Sequence, residues 1–420
     1  METVVPVDTN GKNLGMAILW SDQRGQVESK IIAKRVGERA AHRITGCRTD
    51  PMHSASKILW IKKNQPKRFQ KTFKFLTPKD FLNHQLTGEF VADYSIASSS
   101  LLFDVARKTW SKEILSRTNI PLEKLPDVLP SSSIVGEVTK RAAKLTGLRS
   151  GTPVVAGGGD TPCTALGCGV FEAEQGLLYL GSSASLYSVI TKPLTDPTMQ
   201  LITRCHVLDD VWTVGGGMST AGSCITWLRD IISKGDSHKE TVTQLLKEAS
   251  AIEPGSNGLL FIPNMMGERN PHYHLNSTGA FLGLTLSHTR AHITHAILEG
   301  IGIQLNSILG AMRETKVAPA TLIATGGGTS YPHWIQTLSD IFRTKLAIST
   351  IASPEALGAA MLAGIGMGEI KNLRRLSHRI IAKRKVVTPR EDASIIYKEM
   401  AERYKAALEE PRLDGLHCRA

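Results

Sequence analysis

The sequence predicts an α/β protein in which helices cover the outer faces of sheets. Short apolar runs alternate with helical segments across both halves of the chain, and this alternation is typical of α/β layers. Three of the apolar runs, at residues 154–156, 176–180 and 322–324, lead directly into glycine-rich turns. The chain of 420 residues is long enough to bury two ordinary hydrophobic cores.

The first half of the chain is predicted to begin with a hairpin and to continue mainly as helices. Apolar runs at residues 3–7 and 16–20 flank a turn with an Asn-Gly pair, which is a strong hairpin signal. Helical patterning follows over residues 24–86. Further helices are predicted at residues 110–117 and 135–145, the second of which stops at a glycine.

A second unit is predicted to begin after residue 171. Its strands are predicted at residues 176–180, 186–190, 200–207, 211–214, 259–262 and 322–324. Residues 215–220 are predicted as a glycine and serine loop that opens onto a helix. Later helices are predicted at residues 292–313, 332–342, 358–366 and 395–408.

The central stretch VVAGGGDTPCTALGCG, residues 154–169, carries the strongest chemical signal. It predicts a buried strand, a tight glycine turn and then a helix, with Asp160 at the carboxyl end of the strand. Thr161 suits a helix cap and Pro162 the first helical position. The Asp160 carboxylate would then face the positive end of the helix dipole, stay ionised and accept a proton. The alternative is that Asp160 merely caps the helix.

Three turns share the character of phosphate-binding loops: residues 157–160, 181–184 and 326–328. Each exposes backbone N–H groups and small hydroxyls, which bind phosphate oxygens. The sequence has no G-x4-G-K-[ST] loop, and Pro162 stands where a dinucleotide fingerprint requires glycine. Those two nucleotide-binding classes are therefore disfavoured, which leaves a nucleotide held between two domains by scattered loops.

Composition excludes several other classes of function. The 50 basic and 38 acidic residues give a net charge of +12, but the basic residues are dispersed without regular aromatic interleaving. A basic surface or a phosphorylated ligand is therefore favoured over nucleic acid. The sequence contains no uncharged apolar run of membrane-spanning length, no signal-peptide pattern and no paired framework among its six cysteines. We expect a cytoplasmic protein that binds neither nucleic acid nor membrane.

Two runs resemble the signatures of the FGGY carbohydrate kinases. The segment MHSASKILWIKKN at residues 52–64 resembles the first signature, and residues 279–284 with residues 292–299 resemble the second. Both agree at every constrained position. Within the family, residues 156–160, 267–272 and 284–290 are most similar to xylulokinases.

The resemblance implies two actin-like (ribonuclease H-like) domains closing on a cleft. Residues 1–171 would form the sugar-binding domain and residues 172–420 the nucleotide-binding domain. Family members begin with a strand hairpin that bears a D-x-G-T-type phosphate loop, so the resemblance also implies a first domain truncated at its N-terminus. For that reason we expect weak or no kinase activity from the chain as written.

The resemblance also implies a role for individual residues. Asp160 is expected to be the base that deprotonates the sugar hydroxyl and to hold Mg2+ through water. Further substrate contacts are expected from Glu2, Trp20, Met52 and Thr161. Nucleotide contacts are expected from Gly181, Ser182, Ser183, Gly222, Thr226, Gly326, Gly327, Gly328 and Tyr331.

The reaction implied by the resemblance is the ATP- and Mg2+-dependent conversion of D-xylulose to D-xylulose 5-phosphate. Glu2 falls where glycerol kinases place a carboxylate, whereas xylulokinases usually carry Met-His-Gly there. Ribulose, glycerol and gluconate therefore stay open as substrates. A sugar- or nucleotide-binding remnant without catalysis is the alternative of a different class. The expected partners are a small sugar or polyol and ATP, with a homodimer as the candidate assembly.

Overall fold

The structure is a computed structural model that describes residues 1–233, 241–381 and 384–409. In its first 172 residues the strands are β1 (Val5–Val7), β2 (Lys74–Leu76), β3 (Val91–Asp93), β4 (Phe103–Asp104), β5 (Thr109–Trp110), β6 (Asp127–Leu129), β7 (Ile134–Glu137) and β8 (Pro153–Val155). The helices there are α1 (Gln26–Val36), α2 (Glu38–Thr45), α3 (Ser54–Asn64), α4 (Pro66–Lys71), α5 (Pro78–Thr87), α6 (Tyr94–Ala97), α7 (Lys112–Thr118), α8 (Lys140–Thr146) and α9 (Asp160–Gly167).

The remaining strands are β9 (Gln175–Leu180), β10 (Ala184–Ile190), β11 (Ile202–Cys205), β12 (Trp212–Met218), β13 (Leu260–Ile262), β14 (Ala280–Leu282), β15 (Thr321–Thr325), β16 (Leu346–Ile348) and β17 (Lys385–Val387). The remaining helices are α10 (Gly222–Ile232), α11 (Val242–Ala249), α12 (Arg290–Glu314), α13 (Pro332–Phe342), α14 (Pro354–Gly366), α15 (Leu373–Ile381) and α16 (Glu391–Glu409).

The described chain forms two compact α/β units. The first unit consists of residues 1–172, 189–214 and 351–381. The second unit consists of residues 173–188, 215–233, 241–350 and 384–409. The chain therefore returns twice to the first unit after it has begun the second.

Short paired strands and a helical core make up the first unit. β1 pairs antiparallel with β2, β3 runs parallel to β6, and β7 pairs antiparallel with β8. The predicted hairpin at residues 3–20 is present only as isolated bridges of Val4 with Ile18 and of Val7 with Asn13. β1 forms its strand pairing with β2 instead, and residues 16–20 are largely exposed apart from the buried Ile18.

The helix predicted at residues 135–145 is also wrong in its first part. Ile134–Glu137 forms β7, and α8 begins only at Lys140. The reason is a cap: the side chain of Thr139 accepts a hydrogen bond from the backbone N–H of Ala142, which fixes where the helix starts. Pairing with β8 then holds the preceding residues in an extended conformation.

A close pair of helices, α9 and α14, lies at the centre of the first unit. A Cβ atom on Gly167 of α9 would lie 1.8 Å from the carbonyl oxygen of Pro354, and one on Gly358 of α14 would lie 2.0 Å from that of Cys163. Both positions therefore admit only glycine, because the backbones themselves are in contact. Apolar side chains around Leu166 and Leu362 complete this core.

The second unit contains most of a mixed sheet, in which β12, β10, β9, β15, β16 and β17 are successive neighbours. β9, β15 and β16 are parallel, whereas β10 is antiparallel to β9 and β17 is antiparallel to β16. The long helix α12 is buried over most of its length and packs on β13, where Gly300 admits the carbonyl oxygen of Phe261.

The glycine loop predicted at residues 215–220 is wrong in its first part, because Gly215–Met218 lies within β12. A Cβ atom on Gly215 would lie 2.0 Å from the carbonyl oxygen of Leu186 in the adjacent strand. Glycine is therefore required here for close strand packing rather than for a turn.

Among the described residues, no helix combines the length and apolar character needed to cross a lipid bilayer. The described cysteines are buried thiols, and none of them forms a disulfide: Cys47, Cys163, Cys168, Cys205 and Cys224. Cys418 lies outside the described residues.

Candidate functional site

Asp160 is the first residue of α9, directly after the glycine turn that follows β8. The predicted cap is wrong: Gly159 occupies the N-cap position in an extended conformation, and Thr161 and Pro162 lie inside the first turn. The backbone N–H of Gly159 donates a hydrogen bond to Ser95 Oγ at 3.0 Å, and this contact holds the N-cap residue in place. The Asp160 side chain is exposed at the positive end of the helix, where an ionised carboxylate is favoured.

The glycines before Asp160 leave no room for side chains. A Cβ atom on Gly158 would lie 2.3 Å from Cγ1 of Val207, and one on Gly159 would lie 2.7 Å from Cε of Met1. Gly157 has a φ of +73°, which only glycine adopts readily. Met1 and Val207 therefore pack against the backbone of the turn directly before Asp160.

A half-buried lysine, Lys79 of α5, supports this turn through its ammonium group. Its Nζ donates to the carbonyl oxygen of Ala156 at 2.9 Å and lies 2.8 Å and 2.9 Å from carboxylate oxygens of Asp80 and Asp93. The two carboxylates raise the pKa of Lys79, although burial acts in the opposite direction. Asn83 adds a second donor to Ala156, at 2.7 Å. The last residue before the glycines is thus held by two side chains.

Asp93 links this lysine to the backbone of the turn. Its Oδ2 accepts hydrogen bonds from Ser131 Oγ at 2.9 Å and from the hydroxyl and backbone N–H of Ser95. Ser95 Oγ in turn accepts from Gly159. The Asp93 side chain is fully buried, so this network fixes the position of α9 through charges that are shielded from solvent.

Three of the predicted substrate residues are brought together by one ammonium group. Lys57 Nζ donates to the backbone carbonyl oxygens of Glu2 at 3.0 Å, Trp20 at 3.3 Å and Met52 at 2.5 Å. The Lys57 side chain is 0% exposed, and burial lowers its pKa to about 8. The first FGGY-like signature thus has a structural role, because its lysine joins three separate segments of the chain.

The side chains of those three residues differ in access to solvent. Trp20 is 47% exposed and Met52 is buried. The Glu2 carboxylate is buried and pairs with Arg204 of β11, whose Nη2 lies 3.0 Å from Glu2 Oε1. The fourth predicted substrate residue, Thr161, is half-buried on α9.

His53 lies beside the same charges. Its Nδ1 is 2.7 Å from the carbonyl oxygen of Ser99; since a carbonyl only accepts, this nitrogen carries the proton. Burial lowers the pKa of His53, and the nearby Arg204 lowers it further, while Asp50 and Glu2 oppose the shift. His53 is therefore a neutral side chain among charged neighbours.

In the second unit, the predicted phosphate loop Gly181–Ser183 lies on the N-terminus of α10. The backbone N–H groups of Ala221 and Ser223 donate to the carbonyl oxygen of Ser182, at 2.8 Å and 3.2 Å, and Gly222 N–H donates to that of Gly181 at 3.0 Å. A Cβ atom on Gly222 would lie 2.7 Å from the same carbonyl. The loop and the helix terminus therefore form one glycine-dependent contact.

The Gly326–Gly328 turn is adjacent because β15 lies parallel to β9. Leu180 ends β9 and Thr325 ends β15. Gly326 has a φ of +96°, and a Cβ atom on it would lie 2.4 Å from the carbonyl oxygen of Leu180. Gly327 begins a short 3-10 helix. The structure thus gathers two of the predicted nucleotide loops at the ends of neighbouring strands.

The two other predicted nucleotide residues lie on the helices next to these loops. Thr226 is in the second turn of α10, where its Oγ1 donates to the carbonyl oxygen of Gly222 at 3.3 Å. Tyr331 immediately precedes α13, and its backbone N–H donates to Gly328 at 3.3 Å. All nine predicted nucleotide residues therefore belong to the second unit.

Sequence reasoning missed Lys79, Asp93, Ser95 and Arg204. The first three had a weak signal, because Thr77 caps α5 with Asp80 and Asp93 caps α6, so charged residues recur at helix starts around the turn. Arg204 had none, since only folding places its strand beside Glu2.

The geometry so far defines an α/β protein with an exposed carboxylate after a glycine turn in one unit and glycine-rich turns at the ends of neighbouring parallel strands in the other. Comparison with protein families matches residues 1–167 to the N-terminal domain, and residues 177–367 to the C-terminal domain, of the FGGY family of carbohydrate kinases. The chain therefore belongs to the FGGY family of carbohydrate kinases.

Individual relatives agree with that assignment. The xylulose kinase of Lactococcus lactis is 33% identical over 382 residues, which are 91% of this chain and 75% of the relative. The gluconokinase of Bacillus subtilis is 30% identical over 95% of this chain and 79% of its own length. The crystal structure of xylulose kinase from Rhodospirillum rubrum superposes with a TM-score of 0.88 at 26% identity, covering 100% of this chain and 84% of that chain.

Proposed function

We propose that this carbohydrate kinase transfers the terminal phosphate of ATP to a hydroxyl of D-xylulose and forms D-xylulose 5-phosphate. The observation that carries the proposal is the exposed Asp160 carboxylate on a rigidly supported turn, next to a cluster of charged and polar groups suited to a polyhydroxy compound. The identity to xylulose kinases supports the choice of sugar.

Asp160 is the proposed general base. Phosphoryl transfer depends mainly on positioning the reactants and on neutralising charge. The Asp160 carboxylate would orient the attacking hydroxyl and accept its proton as the bond to phosphorus forms. Glu2, Trp20, Met52 and Thr161 would hold the rest of the sugar.

The second unit is proposed to bind ATP. Backbone N–H groups and hydroxyls of residues 181–183 would hold phosphate oxygens next to the N-terminus of α10, where the helix dipole favours negative charge. Residues 326–328 with Tyr331 would hold the adenosine part, together with Gly222 and Thr226 on α10. Glycine at positions 222 and 326 lets these loops pack closely against neighbouring backbone, which would keep the proposed nucleotide contacts in place.

The donor atoms at Asp160 fit Mg2+, because this cation prefers carboxylate and water oxygens in a site open to solvent. Asp160 would hold the ion through water. When bound, Mg2+ supplies positive charge that neutralises the phosphate oxygens. Cytoplasmic localisation and a homodimeric assembly are part of the proposal; the buried thiols, without disulfides among the described residues, support the first.

The test is a coupled assay of ADP formation by the full chain with D-xylulose, D-ribulose, glycerol and D-gluconate. Whatever the absolute rate, kcat/KM should be highest with D-xylulose. ATP and D-xylulose that each raise the melting temperature without any turnover would instead support a binding protein without catalysis. Turnover with another of the four compounds as the best substrate would contradict the proposed sugar while leaving the kinase activity intact.

A further inference from the structure

Buried charges of both signs lie together at the position proposed for the sugar. Glu2 and Asp50 are buried carboxylates, and the cations are Lys57 and Arg204, with exposures of 0% and 12%, and the N-terminal ammonium of Met1, 3.8 Å from Glu2 Oε2. The neighbouring His53 is neutral, because burial and Arg204 oppose its protonation. Charges that are buried together need such compensation.

The Glu2–Arg204 pair is connected to the turn that bears Asp160 through its chain neighbours. Met1 packs against Gly159, the residue before Asp160, and Glu2 follows Met1 directly. On the other side, Val207 contacts Gly158, three residues after Arg204 in the chain. Both partners of the pair are thus anchored by segments that touch the turn bearing the catalytic carboxylate.

We infer that the ion pair of Glu2 with Arg204 sets the preference for uncharged sugars over sugar acids: the Glu2 carboxylate disfavours a second carboxylate, and Arg204 limits how strongly it does so. This inference rests on the proposed function. A neutral ketose offers hydroxyls, which can donate to the Glu2 carboxylate and accept from the Arg204 guanidinium. A sugar acid brings a second carboxylate toward Glu2, while the guanidinium that would neutralise it is already paired with Glu2.

The relatives make this distinction relevant, because a xylulose kinase and a gluconokinase match the chain at 33% and 30% identity. Those overall similarities do not separate a neutral substrate from an anionic one. A group that repels a carboxylate weakens the binding of the anionic substrate and not that of the neutral one. Specificity is the difference between these two binding free energies.

The experiment measures kcat/KM for D-xylulose and D-gluconate in the wild-type chain, in Glu2→Gln and in Arg204→Gln. We expect wild type to prefer D-xylulose. Glu2→Gln takes the carboxylate partner from Arg204, so the gluconate-to-xylulose ratio should rise about tenfold or more, equal to about 1.4 kcal/mol, through the KM for gluconate. Arg204→Gln removes the ion pair at 3.0 Å from Glu2, so a second carboxylate is repelled more strongly, and the ratio should fall below that of wild type.

Matched controls come from an exposed pair in the same unit, Arg117 with Glu113 on α7, 3.2 Å apart. Glu113→Gln and Arg117→Gln make the same charge changes and should leave the ratio unchanged. Thermal shift with gluconate alone gives a readout independent of turnover, and it should become larger in Glu2→Gln. If Glu2→Gln does not fold, the opposite change in Arg204→Gln decides the question.

The possible failures are distinguishable. A wild-type chain that phosphorylates none of the sugars tested would defeat the proposed function. A wild-type chain that phosphorylates D-xylulose, but whose ratio stays constant in both variants, would overturn the inference alone. A wild-type preference for gluconate would overturn it as well.

Discussion

The two candidate site regions of this protein are built from different chemical groups. In the first unit, charged side chains hold the segments around the proposed sugar position: the buried Lys57 and the half-buried Lys79 and Arg204. In the second unit, backbone groups and glycines at residues 181–183 and 326–328 form the proposed nucleotide loops.

The difference follows from what each region is proposed to bind. The hydroxyls of a sugar differ in position, and each can be recognised by a separate hydrogen-bond donor or acceptor in a fixed place. Phosphate oxygens are alike, and backbone N–H groups of small residues hold them without regard to side-chain identity. Changes of charge should therefore affect the first region, and an added Cβ atom should affect the second.

The largest expected effect comes from Asp160→Asn. Asparagine keeps the size of the side chain but cannot take a proton, so kcat should fall by about 10²–10⁴-fold with little change in either KM. Steady-state kinetics measures this. The exposed Asp127 of β6 provides the control, because Asp127→Asn should leave kcat unchanged. A normal kcat in Asp160→Asn would contradict the proposed base.

Lys79→Met tests whether charge supports the glycine turn. Methionine has a similar volume but leaves Asp80 and Asp93 without their shared cation, so the free energy of unfolding should fall by about 3–5 kcal/mol. Urea denaturation measures it, with the exposed Lys30→Met of α1 as control. Equal stability of wild type and Lys79→Met would show that the buried charges do not hold the turn.

Gly326→Ala tests the backbone-based region. The added Cβ atom would lie 2.4 Å from the carbonyl oxygen of Leu180, at a φ of +96°, and such strain costs about 1–3 kcal/mol. The KM for ATP should rise about tenfold, while the KM for the sugar changes little. Gly310→Ala, in α12 where a Cβ atom meets nothing within 4 Å, should leave both constants unchanged. A rise in the KM for the sugar, with the KM for ATP unchanged, would contradict the proposal that residues 326–328 bind the nucleotide.

The smallest effect concerns Glu299, a buried carboxyl in α12 away from the loops. Ser256 Oγ donates to it at 2.6 Å and Gly255 N–H at 2.7 Å, and burial raises its pKa to about 7 from the ordinary 4.5. A raised pKa in the folded state stabilises the protein below pH 4.5, and this stabilisation is lost as the pH rises through 7. The neighbouring His295 stays neutral, because burial lowers its pKa to about 3.

Glu299→Gln removes this titration; its amide oxygen still accepts from Gly255 N–H, and its NH2 group can donate to Ser256 Oγ. Between pH 6 and pH 8, wild type should lose about 1.4 kcal/mol of stability relative to the variant, with the KM for ATP unchanged. Unfolding midpoints at the two pH values measure the difference. A constant difference between wild type and variant would show that this carboxyl does not change its protonation over that range.

Sequence predicted the elements whose signals are local. The helix at residues 332–342 was predicted with the bounds it has, because Pro332 suits the first helical position, and β9 was nearly as well defined. Errors arose where tertiary contacts decide the structure. Gly215 belongs to a strand because Leu186 lies against it, and Gly159 replaces Thr161 as the cap because Ser95 holds its N–H.

The candidate site shows the same limit. Asp160 stands out in the sequence because a strand, a glycine turn and a helix follow one another without interruption. Arg204 does not, since its position beside Glu2 depends on β11 belonging to the first unit. A contact between distant segments leaves no periodicity in the sequence that would reveal it.

The glycine contact between α9 and α14 has a consequence for efforts to alter this enzyme. Because Gly167 and Gly358 let two backbones touch, any larger residue at either position would push apart the helices, one of which carries Asp160. Mutant libraries intended to broaden the range of accepted sugars should therefore keep both glycines fixed. Diversity is better introduced at positions 2 and 204 together, because changing one member of this ion pair takes away a partner of the other.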